Sequence, residues 1–323
     1  MSVLQDVVVI SLDVHIWSGR KKLRPEDLTA SGTLPPKELV SLGSKKIFNP
    51  EALKPFAKLK REAEALCLAK GVRFARAFAV PKSELRDVVA GLRALGERFA
   101  RSREAFLATY EAEREKWKAQ YPGYERLIET EFLSKGAVGA RLSFGYQPFS
   151  INEVELETDE PARDDRGTGT LVLGLVGQLY QEVAAEAKEH VSRSLIGRVE
   201  VTQKFLRPLR AIREKLAGMA FLDATLEPIV KTIDDVLGAI PKEGKLVGLG
   251  LEALRGVLAL LSDPHRMRAH AEAILRGETP SLAVKPGLDL DVRGLPFPPA
   301  APAERAEIAP EPAQATRPVA VFI

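Results

Sequence analysis

The stretch LVSLGSKKIFNPEALKPF, residues 39–56, places Gly43, Ser44, Lys45 and Lys46 just ahead of a helix start. Those are the parts of a phosphate cradle, in which stacked backbone amides and a lysine hold the phosphates while a hydroxyl meets the metal. A Walker A loop needs a second glycine, the order Gly-Lys-Ser/Thr, and a strand before it. Here one glycine is present, serine precedes lysine, and no strand pattern leads in. The residues read as a turn with two solvated lysines before a capped helix, with Ser44, Lys45 and Lys46 kept as candidate anion contacts.

Other constellations are weaker. GTGTLVLGLVG, residues 167–177, suggests a dinucleotide-binding turn, but an acidic loop precedes it where a strand is required. The same apolar segment invites a membrane-inserting, pore-forming reading, yet it is too short to span a bilayer. His265 and His270 are five apart, which misses the i,i+4 spacing of a helical zinc pair, and His15 and His190 stand alone. No Gly-x-Ser-x-Gly occurs, and no paired acids stand out from charged helix faces. The expectation is therefore no catalytic residue, no metal and no cofactor. Cys67 is the only cysteine, which excludes an internal disulfide; flanked by Leu66 and Leu68 it reads as a core residue.

The elements that would position any site follow from the wider pattern. The 323 residues, 45% hydrophobic, are enough for a sizeable core, and a net charge of +3 gives too weak a field to imply nucleic acid by itself. Distribution says more than the sum. Residues 1–80 carry fourteen basic against eight acidic side chains, whereas 151–165 carry seven acids and only Arg163. The start lacks a basic n-region and a cleavage site, and the expected address is cytoplasmic.

In residues 7–17 the even positions Val8, Ile10, Leu12, Val14 and Ile16 are apolar, which predicts a strand with one buried face. Residues 24–48 form a loop-rich connection. Asn49 and Pro50 predict a helix start, and Gly71 its stop. VRFARAFAV, residues 72–80, alternates with Val72, Phe74, Phe78 and Val80 on one side and could pair with the first strand. After Ser83, a candidate cap, apolar residues fall at 85, 88, 92, 95 and 99 and continue through Phe106, Tyr110 and Trp117 until Pro122 and Gly123 invite a break. A second run passes from Leu171 through Val176, Leu179, Val183, Leu195, Val199, Phe205 and Leu209 to Leu216, with a kink expected at Pro208.

Laid antiparallel, two helices of about fifty residues would make a coiled-coil-like stalk about 70 Å long. The resulting expectation is a mainly α (α+β) fold: an N-terminal α+β base at 1–82, a long helical hairpin at 83–220 with a β or loop tip at 134–168, C-terminal helices at 221–277, and a Pro/Ala-rich disordered tail at 278–323. That tail ends on an apolar hook, Val319, Val321, Phe322 and Ile323, which reads as a strand docked in cis or as a peptide for a partner.

The segments VVVISLDVHIWSGRKKLRPEDL and LPPKELVSLGSKKIFNPEALKPFAKLKREAEALCLAKGVRF resemble the signature of a bacterial and phage family, domain-of-unknown-function family 3150, over roughly residues 6–80. The resemblance brings no catalytic motif. It implies carriage by mobile elements and prophages, near genes for a MoxR-type AAA+ ATPase and a von Willebrand factor A-domain protein. The leading expectation is a non-enzymatic scaffold or adaptor for protein partners, self-associating through the stalk. The alternative is nucleic-acid binding through Arg20, Lys21, Lys22, Arg24, Lys45 and Lys46.

Overall fold

The computed structural model describes residues 3–23, 40–41, 43–129, 132–151, 166–195 and 197–282. The chain divides into two units, residues 1–283 and 284–323. The hook residues Val319, Val321, Phe322 and Ile323 lie outside the described residues, as do Arg24 and the acidic segment 152–165.

The strands are β1 (Val7–His15), β2 (Arg20–Lys22), β3 (Val40–Ser41), β4 (Ser44–Lys46), β5 (Val72–Phe74), β6 (Ala77–Pro81), β7 (Ser143–Ser150), β8 (Val201–Thr202) and β9 (Lys245–Leu246). The helices are α1 (Lys54–Lys70), α2 (Leu85–Ala119), α3 (Glu125–Glu129), α4 (Lys135–Gly139), α5 (Arg166–Ser194), α6 (Leu206–Gly218), α7 (Leu226–Ala239), α8 (Gly248–Leu261) and α9 (Pro264–Leu275). The mainly α (α+β) expectation holds, with a small antiparallel sheet of order β5-β6-β1-β7 at its centre.

That sheet is covered on both faces where β1 begins. Register pairs Val8 with Val80 and Ile10 with Phe78, and this side faces a cluster built from α1 and α2 (Phe56, Cys67, Val88, Leu92, Phe99, Tyr110). The opposite side carries Val7, and Val9 opposite Ala79, toward a second cluster from α5 to α9 (Val176, Leu179, Val183, Ile212, Leu254). All four residues from Val7 to Ile10 are buried, so one buried face is too few for this half of β1. Beyond Ile10 the expected alternation returns, and Asp13 and His15 are exposed.

Residues 72–80 likewise form two strands. Phe74 pairs with Ala77 across a two-residue turn in which Ala75 has φ 52°, so Val72 lies opposite Ala79 on one face while Phe78 and Val80 occupy the other. Gly71 does end α1, although its backbone is extended; its need is space, since an added Cβ would overlap the Ala79 carbonyl oxygen. Asn49 caps as expected, its side chain accepting from the Glu51 amide at 3.0 Å. Ser83 does not cap α2, whose N-cap is Glu84 with no side-chain bond.

The long stalk is not formed. The α2 stripe packs into the first cluster and the α5 stripe into the second, so the two apolar faces share no seam. Periodicity had identified the faces correctly, but the sheet, α1 and the C-terminal helices supply their partners. The α2 stripe, being filled from within the chain, is also not open to a second copy. Nor is the second run continuous: α5 stops at Ser194, Gly197 adopts φ 74°, and Pro208 sits in the first turn of α6, where proline is tolerated, instead of kinking one helix. RLSFGY enters β7, which pairs with β1 from Ser143 to Ser150 and so belongs to the central sheet instead of a tip. The three helices expected after residue 220 are present. Residues 278–282 belong with them, because Leu282 packs on the second cluster beside Gly256.

One buried contact within this bundle titrates. The Thr232 hydroxyl donates to the Pro228 carbonyl at 2.9 Å, which leaves the His270 Nε2–H, also at 2.9 Å, to donate to the hydroxyl oxygen. Burial pushes the His270 imidazole below its usual value of 6.5. The unfolded chain takes up this proton more readily, so the contribution is complete above pH 6.5 and drains away as pH falls through the lower folded value. Urea unfolding at a series of pH values should therefore show stability declining below that point, and His270→Gln should flatten the decline. An unchanged slope would contradict the assignment. In the same assay Gly71→Ala should cost about 1–3 kcal/mol through overlap with the β6 backbone.

Candidate functional site

Strands β2, β4 and β3 form a separate sheet in that order. Its register places Arg20 opposite Lys46, Lys21 opposite Lys45 and Lys22 opposite Ser44. Side chains alternate along a strand, so Arg20, Lys22, Ser44 and Lys46 share one face, and Lys21 and Lys45 share the other. Burial agrees with this division: Arg20 and Lys22 are exposed, Ser44 and Lys46 half-buried, and Lys45 only 1% exposed. The expectation of two solvated lysines is corrected for Lys45. It has the parity of Ile47, and both point into the body.

The ribbon stands on a rigid base. Gly19 turns with φ 62°, and its carbonyl accepts from the Ile47 amide at 2.9 Å. Beneath it Phe48 stacks on Tyr110 with ring centroids 5.2 Å apart, and Trp17 meets both rings. The Tyr110 hydroxyl donates to the Leu133 carbonyl at 2.9 Å. These contacts hold β2 and β4 to α2, so the sequence-distant groups Arg20 to Lys22 and Ser44 to Lys46 are brought together.

Beside the ribbon, His15, Ile16, Trp17, Ser18, Ala140 and Arg141 line an open depression of about 500 Å³. His15 Nε2 lies 2.8 Å from Asp13 Oδ1, and Ser143 is opposite His15 across the β1–β7 pair. An acid, a histidine and a serine thus meet on one sheet face. His15 and Asp13 are 68% and 73% exposed, however, so water competes for the contact between them. Sequence reasoning missed this grouping because Ser143 and Arg141 arrive through β7, a long-range pairing.

A buried polar cluster joins α5, α6 and β5. Glu182 Oε1 accepts from the Arg73 amide at 2.8 Å and from Gln178 Nε2 at 2.9 Å, while Oε2 accepts from Lys215 Nζ at 2.8 Å. The carboxylate therefore satisfies an outward amide of edge strand β5. Glu186, one turn further along α5, is pushed above the usual carboxylate range by burial, against the pull of Lys215. Cys67 is inert for a related reason: burial, with help from Glu64, raises its thiol to about 12, so the nucleophilic thiolate is absent near neutral pH.

Among the described residues no group of three or more His, Cys, Asp or Glu could hold a metal ion, and no helix is long and apolar enough to cross a membrane. The GTGTLVLGLVG segment lies within α5, not in a strand-to-helix turn.

The model of the family described as "Protein of unknown function (DUF3150)" matches residues 4–263. No curated protein and no solved structure matches the chain.

The Glu182–Lys215 pair is buried, whereas the Arg213–Asp234 pair is 37% and 43% exposed. Lys215→Met should accordingly cost about 3–5 kcal/mol by stranding a buried carboxylate. Arg213→Ala should cost less than about 1 kcal/mol. Equal losses in urea unfolding would show that Glu182 is not held as described.

Proposed function

Since the chain belongs to that DUF3150 family, we propose that it is a non-enzymatic adaptor of a mobile element or prophage, and that its partners are a MoxR-type AAA+ ATPase and a von Willebrand factor A-domain protein. The partner identities come from the family resemblance of residues 6–80. The stalk form of this reading falls with the absent seam. What supports the adaptor reading instead is the distal end of α2.

Helix α2 has 35 residues and is about 52 Å long, against about 26 Å for the 17 residues of α1. Its buried side chains from Val88 to Tyr110 belong to the body, but Trp117 does not. With Leu127 and Ile128 of α3 it forms a small separate cluster, around which Tyr121, Tyr124 and Phe132 pack. Arg114 lies over the Phe132 ring, 4.7 Å from its centroid, and Lys118 bridges Glu115 at 2.7 Å and Glu129 at 2.6 Å. The end of α2 is thus an arm with its own core. Such an arm has a cluster distinct from the body's and offers a preformed helical surface for a protein partner, at low ordering cost on association.

The test is co-purification of the full chain with the products of neighbouring genes. Trp117→Ala removes the centre of the arm, at about 3–5 kcal/mol of local packing. Trp117→Phe keeps most of that area and deletes an indole N–H that has no acceptor among the described residues. The ATPase should be recovered with wild type and Trp117→Phe and lost with Trp117→Ala. Equal recovery by both variants would remove the arm from the interface.

A further inference from the structure

We propose that Glu182, Glu186 and Lys215 form a proton-operated latch between α5, α6 and the edge of the central sheet, in which proton uptake by Glu186 tightens the junction and proton loss loosens it. The device is independent of the arm. Its geometry follows from one stripe of α5. Gln178, Glu182, Glu186 and His190 are spaced four apart and so lie on one face of the helix. The members flanking Glu186 show what that face meets: Glu182 accepts from Lys215 Nζ of α6 at 2.8 Å, and His190 Nε2 lies 2.9 Å from the Phe205 carbonyl just before α6. Glu186, half-buried between them, therefore faces the stretch from Phe205 to Lys215. The buried side chains within that stretch are Leu206, Leu209 and Ile212, which offer a carboxylate no hydrogen bond.

Counting charges shows why a proton matters here. Glu182 is already satisfied, with Oε1 taking the Arg73 amide and Gln178 and Oε2 taking Lys215. Lys215, 5% exposed, is the one cation that acts on Glu186 among the described residues, and Glu182 already holds it. With Glu186 ionised, two carboxylates share one ammonium, and being four residues apart they repel across about 5–6 Å. With Glu186 protonated, the Glu182–Lys215 pair is balanced. Burial accordingly pushes Glu186 above the usual carboxylate range, with Lys215 pulling the other way and Glu189 and Glu182 adding to the rise. The charges on the other elements packed against α5 are engaged elsewhere or face water. Arg73 of β5 lies over the Phe78 ring, Arg213 of α6 is held by Asp234, Glu252 and Arg255 of α8 pair with each other, and His270 of α9 meets Thr232. Arg207, Arg210 and Glu214 of α6 are exposed, as are Asp6 and, on α9, His265, Arg266, Arg268 and Glu272. The folded chain thus holds the Glu186 proton more tightly than the unfolded chain, whose carboxyl titrates near its usual 4.5. Stability falls as pH rises from 4.5 through the folded value and is level above it, a direction opposite to that of His270.

The experiment compares the full chain with Glu186→Gln, which keeps the shape of the side chain and cannot ionise, by urea unfolding and by hydrogen exchange of the Arg73 amide at a series of pH values. His270 is common to both chains and cancels in the difference. The excess stability of the variant over wild type should be smallest below pH 4.5 and grow as pH rises, by about tenfold in the folded-to-unfolded ratio for each unit separating the folded and unfolded values. The Arg73 amide reports the Glu182 contact directly. Corrected for intrinsic exchange, it should gain protection in wild type as pH falls over the same range and stay level in the variant. Glu186→Met, equally unable to ionise, should behave as Glu186→Gln does, and Glu97→Gln, exposed on α2, should follow wild type. Three results would each overturn the proposal. The first is a Glu186→Gln chain less stable than wild type at neutral pH, which would make the ionised carboxylate a net stabilising partner of Lys215. The second is an identical pH profile of unfolding in the two chains. The third is an Arg73 amide with the same pH dependence of protection in both, which would separate the proton from the junction.

Discussion

The two-sided burial of one short sheet organises this molecule. From Val7 to Ile10 successive side chains enter opposite cores, and the β5–β6 hairpin beside them does the same with Val72 and Ala79 on one face and Phe78 and Val80 on the other. Each such aliphatic side chain is worth about 1.5–3 kcal/mol when fully withdrawn from water. Four consecutive ones in β1 therefore tie together the two helical layers. The Glu182 carboxylate, accepting from the β5 amide and from Lys215, closes the junction at the sheet's edge.

The basic ribbon and the arm both grow from the layer on the α1–α2 side. Its centre is aromatic: Phe106 meets Phe48, Tyr110 and Phe56, Phe48 also stacks on Tyr110, and Phe56 meets Phe99. The basic ribbon is anchored to this centre through Trp17 and Phe48, and the arm continues from Tyr110 along the same helix. A packed scaffold with rigid outgrowths suits a binding protein, because recognition groups are then held without ordering cost at the moment of contact. The ribbon and the arm are also chemically different. One gathers basic side chains on two short strands, and the other carries paired charges over an aromatic core.

Much of the secondary structure was legible. Asn49 with Pro50, the spacing of Val88, Leu92, Leu95 and Phe99, and the break at Pro122 and Gly123 each act locally, and local physics decided them. What covers an apolar face is not local. The stripe on α2 looked the same whether its partner was α5 or a sheet, and only chain connectivity through β7 decided between them. Some signals were present but outweighed: Val7 and Val9 are as apolar as Val8 and Ile10, which is the mark of two-sided burial, and Gly197 marked the break in the second run. Lys45 shared the parity of Ile47, but a lysine is so seldom buried that solvation was the natural reading. The basic cluster of Arg20, Lys21, Lys22, Lys45 and Lys46 was legible as composition, while its division into an outward and an inward face required the strand register.

Native-state hydrogen exchange tests the shared sheet most directly. If Val7 to Ile10 join the two layers into one cooperative body, the slowest amides of β1, α1 and α5 should exchange with the same opening free energy, equal to that of global unfolding. If α5 instead opens at much lower free energy while β1 and α1 stay closed, the layers are independent and the sheet does not couple them.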